Sequence, residues 1–257
     1  MKRRITRSIV PNLFTLVNLF AGFTAIVHIA NGDFMKATIF IIIGAVFDML
    51  DGVMARLINS TSEFGVELDS LCDAVSFGVA PAFMLYQAHF YQYGESGILF
   101  ASLPALAGVS RLARFNVELE TFDDKMYFKG LPIPSGALII ISFIMFYDKG
   151  GLLPQGYEPH IFFAVSILTS LAMISRIRFD NLPRPTKKSF KQRPVVFVLF
   201  LVGLVASIAT KGKFIFPFLL FYLVGSSVRH FIDWLRIRRQ PEDDIDDTHE
   251  DESVPFE

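Results

Sequence analysis

The chain is divided into uncharged apolar runs of about 17 to 25 residues, the length a helix rising 1.5 Å per residue needs to cross a lipid hydrocarbon core. In lipid there is no water to bond an exposed peptide group, so each run must close its own hydrogen bonds as a helix. A soluble core is excluded by these runs and by a mean hydropathy of +0.46. The expected fold class is an all-α polytopic membrane protein with about eight transmembrane helices, drawn at residues 9–30, 36–58, 67–88, 96–117, 132–148, 160–179, 194–210 and 214–236. Residues 1–8 are expected to form a cytosolic N-terminal segment, 9–236 a transmembrane catalytic domain, and 237–257 a disordered acidic cytosolic tail. The basic start, Met1 to Arg7, precedes an apolar run reaching Ala30, too long for a cleaved leader, so it reads as the first membrane helix.

Charge sets the orientation. With the N-terminus in the cytosol, 20 of the 24 Lys and Arg residues fall on cytosolic ends and loops, and only Lys36, Lys149, Lys211 and Lys213 fall outside. The net charge of −1 conceals an asymmetry, because nine acidic residues lie between Glu242 and Glu257 and the remaining body carries +8. A positive body beside a membrane suits anionic lipid or phosphate partners, although positive loops are also ordinary topology signals; no nucleic-acid partner is expected. The lone cysteine, Cys72, excludes a cysteine metal cluster, and the five histidines have no ligand-like spacing.

Against this apolar background stand Asp48 and Asp51 in the second run, and Asp69 and Asp73 in the third. At helical spacings of three and four, each pair presents both carboxylates on one face. If the helices pack side by side, all four share one site at the cytosolic end. Clustered carboxylates in a low-dielectric site must be protonated, paired or metal-bound, and oxygen-only ligands suit a hard cation. Gly52, Ala55 and Gly65 leave room for a ligand to approach backbone, and Arg56 offers a planar donor fork to phosphate. Helix packing by small residues, and an ion path or proton relay through the aspartates, are the competing readings.

The spacing D-x2-D-G-x2-A-R-x8-G-x3-D-x3-D resembles the signature of the CDP-alcohol phosphatidyltransferase family, with Asp48, Asp51, Gly52, Ala55, Arg56, Gly65, Asp69 and Asp73 filling its specified positions. The resemblance implies a helical membrane enzyme with two divalent ions, Mg²⁺ or Mn²⁺, that takes CDP-diacylglycerol and an alcohol and releases CMP. It implies that Asp48, Asp51 and Asp69 hold metal, and that Asp73 is the general base and also touches metal. It further implies that Gly52, Ala55, Arg56 and Gly65 bind the CDP moiety, and that the protein is a homodimer.

The segments Pro11 to Gly22, Ser76 to Pro81, Arg111 to Asn116 and Lys129 to Pro134 are similar to those of serine-accepting members of that family from bacteria and archaea. This implies L-serine as the acceptor, phosphatidylserine as the product, and a plasma (inner) membrane location. Glycerol 3-phosphate, inositol or its phosphate, and choline are the alternative acceptors; a cation transporter built on the aspartates is the alternative of another class.

Asn12, Thr15, Asn18 and Gly22 form a polar stripe on the first helix, read either as a wall of the CDP pocket or as interhelical hydrogen bonding. Arg111 and Arg114, three apart, are read as acceptor or phosphate ligands, with snorkelling to headgroups as the other reading. Lys129 joins them as a phosphate or lipid-surface contact. Gly130, Pro132 and Pro134 are expected to break the backbone at the entry to the fifth span.

Overall fold

The computed structural model describes residues 2–58, 62–121, 130–149, 156–175 and 212–238, with isolated positions 151, 177, 203, 205–207, 209 and 210; side chains are described from residue 9 to 228, except at 56 and 118–121 within the described helices. Among the described residues every regular element is helical. They are α1 (Lys2–Ala30), α2 (Phe34–Leu57), α3 (Glu63–Asp73), α4 (Ala80–Ala88), α5 (Gly94–Thr121), α6 (Ile133–Phe143), α7 (Glu158–Ile174) and α8 (Ile215–Arg238). A π-helical turn, Ala74–Val79, fuses α3 to α4, and a second, Ile144–Asp148, extends α6.

Four rods are long and apolar enough to cross a membrane: Ile9–Ala30, Phe34–Ala55, Glu63–Ala88 and Phe90–Val117. They correspond to the first four expected spans. The stretches Ile133–Asp148, Glu158–Ile174 and Ile215–Val228 are shorter apolar helices at the fifth, sixth and eighth expected positions. The expected span 194–210 falls largely outside the described residues, as do Lys129, most of residues 176–193 and the acidic tail beyond Arg238.

Short connections decide the packing. The last turn of α1 closes through Gly32 N–H to the Ile29 carbonyl and Asp33 N–H to the His28 carbonyl, with Gly32 at φ +77°. This is the left-handed termination that glycine adopts without a Cβ penalty. Asp33 then caps α2, its carboxylate accepting from the Lys36 N–H at 3.1 Å. One residue pattern therefore ends one helix and starts the next, laying α2 back along α1 as a hairpin.

The core is graded along the bundle. At the end remote from the aspartates, Phe90, Phe143 and Phe162 are fully buried in an aromatic cluster with Phe100, Phe163 and Phe216. His89 stacks on Phe162 with ring centroids 4.3 Å apart, and burial pushes its imidazole below the usual range. Where α1 crosses the π-turn the backbones meet closely. A Cβ at Gly22 would lie 2.7 Å from the Ser76 Cα and 2.3 Å from its Oγ.

That crossing yields a stability prediction. Gly22→Val overpacks backbone against backbone and should cost about 1–3 kcal/mol, lowering the thermal unfolding midpoint in detergent. Gly225→Ala in α8, whose Cβ meets nothing within 4 Å, should leave the midpoint unchanged or slightly raised.

Candidate carboxylate site

Asp48 and Asp51 lie one turn apart near the end of α2, on the same side of the helix. The chain reverses and restarts at Ser62, whose Oγ accepts the Gly65 N–H at 3.1 Å and caps α3. α3 then carries Asp69 and Asp73 back beside the first pair. One carboxylate oxygen from each of Asp48, Asp51 and Asp69 lies within 4.8 Å of the others. The Asp48 carboxyl also lies within hydrogen-bonding reach of both Asp69 and Asp73. All four predicted aspartates therefore meet in one place.

Asp51 and Asp73 are each 7% exposed, so water does little to screen the cluster. Carboxylates at this range repel unless protons or a cation lie between them. Asp69 Oδ1 is buried and has no hydrogen-bond partner, an orphaned acceptor in a site made only of oxygen. Three oxygens within a sphere of that size, one still needing a partner, fit a hard divalent cation. The described histidines take no part.

α1 closes a third side. Thr15 Oγ1 donates to Asp51 Oδ2 at 2.7 Å, and Asn18 Nδ2 donates to Asp73 Oδ1 at 3.1 Å. Asn12 reaches the start of α3, its Oδ1 lying 3.3 Å from where a Gly65 Cβ would stand. The polar stripe of α1 thus faces the aspartates, and two of its members bond across helices to carboxylates. Gly52 faces open space, with nothing within 4 Å of its Cβ position. Ala55 is half-buried on the same helix, while the Arg56 side chain is outside the described set.

The two arginines of α5 separate. Arg111 is 7% exposed, close enough to Asp73 to feel its charge, and its Nε has no hydrogen-bond partner. Arg114 reaches away to the end of α7, where Nη1 donates to the Ile174 carbonyl at 3.1 Å. It also lines the tight passage at Gly130, where a Cβ would meet the Met173 carbonyl at 2.2 Å and Arg114 Nη2 at 3.2 Å. Gly130, at φ +85°, bonds through its N–H to the Ile177 carbonyl at 2.9 Å, and Leu131 N–H to the Ala172 carbonyl at 2.9 Å. A basic side chain on terminal helix carbonyls is a C-terminal cap.

Sequence reasoning missed one connection beside the site. Asn116 Nδ2 donates to Ser70 Oγ at 3.0 Å and to Glu67 Oε1 at 3.3 Å, tying α5 to α3. Asn116 was visible as the last residue of the segment Arg111 to Asn116, but nothing in the sequence named its partners.

Fold and site together define a helical membrane protein with an all-oxygen carboxylate centre at one end of its bundle. The family model for CDP-alcohol phosphatidyltransferases matches residues 8–177, from α1 to just past α7, and the chain belongs to that family. It is 33% identical over 219 residues to the CDP-diacylglycerol–serine O-phosphatidyltransferase of Helicobacter pylori, covering 85% of this chain and 90% of that one. The enzyme of the same name from Methanocaldococcus jannaschii is 30% identical over 221 residues, covering 86% and 94%. The archaetidylserine synthase of Methanothermobacter thermautotrophicus is 36% identical over 182 residues, covering 70% and 73%.

The oxygen centre predicts metal dependence. Mn²⁺ titrated into the detergent-purified protein should bind, and Asp69→Asn should weaken binding by more than the roughly 10–100-fold that loss of an outer partner costs. Chelation with EDTA should remove the bound ion, and electron paramagnetic resonance of Mn²⁺ reads both effects.

Proposed function

We propose that this protein transfers the phosphatidyl group of CDP-diacylglycerol to the hydroxyl of L-serine, giving phosphatidylserine and CMP. The observation that carries the reading is the convergence of Asp48, Asp51, Asp69 and Asp73 in a chain whose similar relatives are named for that transfer to serine. A cation transporter would have no use for the family's remaining signature residues, Gly52, Ala55, Arg56 and Gly65.

The serine oxygen attacks the phosphorus that carries diacylglycerol. As the new P–O bond forms, the bond from that phosphorus to the bridging oxygen breaks, and CMP departs with the electron pair. A serine hydroxyl is a weak nucleophile at neutral pH, so its proton must pass to a placed base. Asp73 takes that role, its Oδ1 held by the Asn18 amide. Asp48, Asp51 and Asp69, with Asp73, would hold two Mg²⁺ or Mn²⁺ ions, which when bound offset charge on the diphosphate and the leaving CMP.

The CDP moiety lies along α2 and the start of α3. The open space at Gly52 admits it, Ala55 and Gly65 keep the flanks low, Asn12 lines the α1 side, and Arg56 meets phosphate. Arg111, buried beside Asp73 with a donor unspent, receives the serine carboxylate or the donor phosphate. The site and both termini face the cytosol, a reading supported by the distribution of basic residues, and the membrane is the plasma membrane of a bacterium or archaeon, as the resemblance implies. The protein acts as a homodimer, as the family resemblance implies, and the diacyl donor enters from the surrounding lipid.

Purified protein given CDP-diacylglycerol, Mn²⁺ or Mg²⁺, and each alcohol in turn should release CMP with L-serine. Turnover with inositol phosphate and none with serine would overturn the choice of acceptor, and ion flux without CMP release would overturn the enzyme reading. Asp73→Asn should lower kcat by about 10²–10⁴, the usual contribution of a placed base. Gly52→Leu, whose Cβ meets nothing within 4 Å, should keep the unfolding midpoint and raise KM for CDP-diacylglycerol by about tenfold or more.

A further inference from the structure

We infer that Thr15 and Asn18, in the polar stripe of α1, orient the carboxylates rather than binding nucleotide: Asn18 is a positioning residue for Asp73, and Thr15 is one for Asp51. The inference rests on the transferase reading above and concerns how its acidic groups are aimed.

Asn18 is completely buried, and its amide is held by one hydrogen bond while its Oδ1 has no hydrogen-bond partner. Nδ2 donates to Asp73 Oδ1 at 3.1 Å, while Oδ1 points at α2, 2.8 Å from where a Gly44 Cβ would stand. Any side chain at Gly44 would displace the amide, so glycine there makes the room that Asn18 occupies. The reversed amide would set its oxygen against a carboxylate oxygen, so only one orientation suits Asp73. The backbone is held as well, because Ser76 Oγ donates to the Asn18 carbonyl at 2.9 Å. Ser76 in turn sits in the space kept open by Gly22.

Thr15, 3% exposed, is pinned in the same manner. Its Oγ1 lies 3.1 Å from the Pro11 carbonyl and 2.7 Å from Asp51 Oδ2. A hydroxyl has a single proton, and the shorter contact to a carboxylate is the stronger acceptor. Each side chain therefore gives a hydrogen bond to a carboxylate, and with Asn18 wholly and Thr15 almost wholly buried neither presents a surface to cytidine or ribose. What remains for them is control of which carboxylate oxygen faces the reaction. Holding reacting groups in a fixed rotamer is worth large factors in rate, and removing an outer partner of a metal ligand typically costs about 10–100-fold in affinity or activity.

The test separates aiming from binding. In Asn18→Leu, which keeps the volume and removes the donor, kcat for CMP release should fall about 10–100-fold while KM for CDP-diacylglycerol stays within about twofold. Gly44→Ala, a change on another helix that displaces only the amide, should reproduce the same kcat-only loss. Thr15→Val should weaken Mn²⁺ binding, read by electron paramagnetic resonance without substrate, by about tenfold, and Thr15→Ser should restore it. A rise in KM for CDP-diacylglycerol at unchanged kcat in Asn18→Leu, or undiminished Mn²⁺ binding in Thr15→Val, would overturn the inference. A wild-type protein that releases no CMP with any alcohol would instead overturn the transferase reading, and the Mn²⁺ measurement would still judge Thr15.

Discussion

Mutual repulsion among four carboxylates is the constraint around which this molecule is organised. Asp48, Asp51, Asp69 and Asp73 meet at one end of a bundle whose other end is an aromatic core. In water such a cluster would be screened; among apolar helices it must be compensated locally. Compensation comes from short donors on α1 and from an arginine on α5, and the oxygen set fits a hard cation besides. Each belongs to a different helix, so the centre also acts as the place where α1, α2, α3 and α5 are obliged to meet. Removing the compensation would cost stability as well as chemistry.

The sequence carried much of this. Apolar run length located seven of the helices, and the aspartate spacing located the site, because both follow from period and hydrophobicity along one chain. Asn12, Thr15 and Asn18 were legible as a polar face, but a helical period says only that residues share a side. It does not say what stands opposite. That Asn18 meets Asp73 depends on the crossing permitted by Gly22 and Gly44, which no local pattern encodes. The paired reading of Arg111 and Arg114 illustrates the same limit. Three residues apart they share a side, yet one turns inward toward Asp73 and the other reaches the carbonyls of α7.

Rigidity around the site is unevenly supplied. α1 and α2 are joined by a tight glycine-terminated turn, and α3 is fixed to α5 through Asn116. The α6 entry is bonded backbone to backbone against the end of α7, with Arg114 beside it. These ties use groups that would otherwise be left unbonded at helix ends. They let the apolar walls pack by shape alone while the polar end keeps a defined geometry.

The π-turn at Ala74–Val79 has a consequence for how this fold tolerates change. A π-turn accommodates one residue more than an α-turn, and one residue is about 100° of rotation on a helix. It therefore acts as a phase shift in the middle of a single rod: the acidic face of α3 and the apolar face of α4 are each correctly directed only because that residue is present. A one-residue deletion there would leave the hydrophobicity of the rod almost untouched, yet would turn one half of it against the other and send the aspartates of α3 toward lipid. Insertions and deletions in this rod should thus be far more damaging than substitutions of equal apolarity, because what they alter is angular register rather than composition.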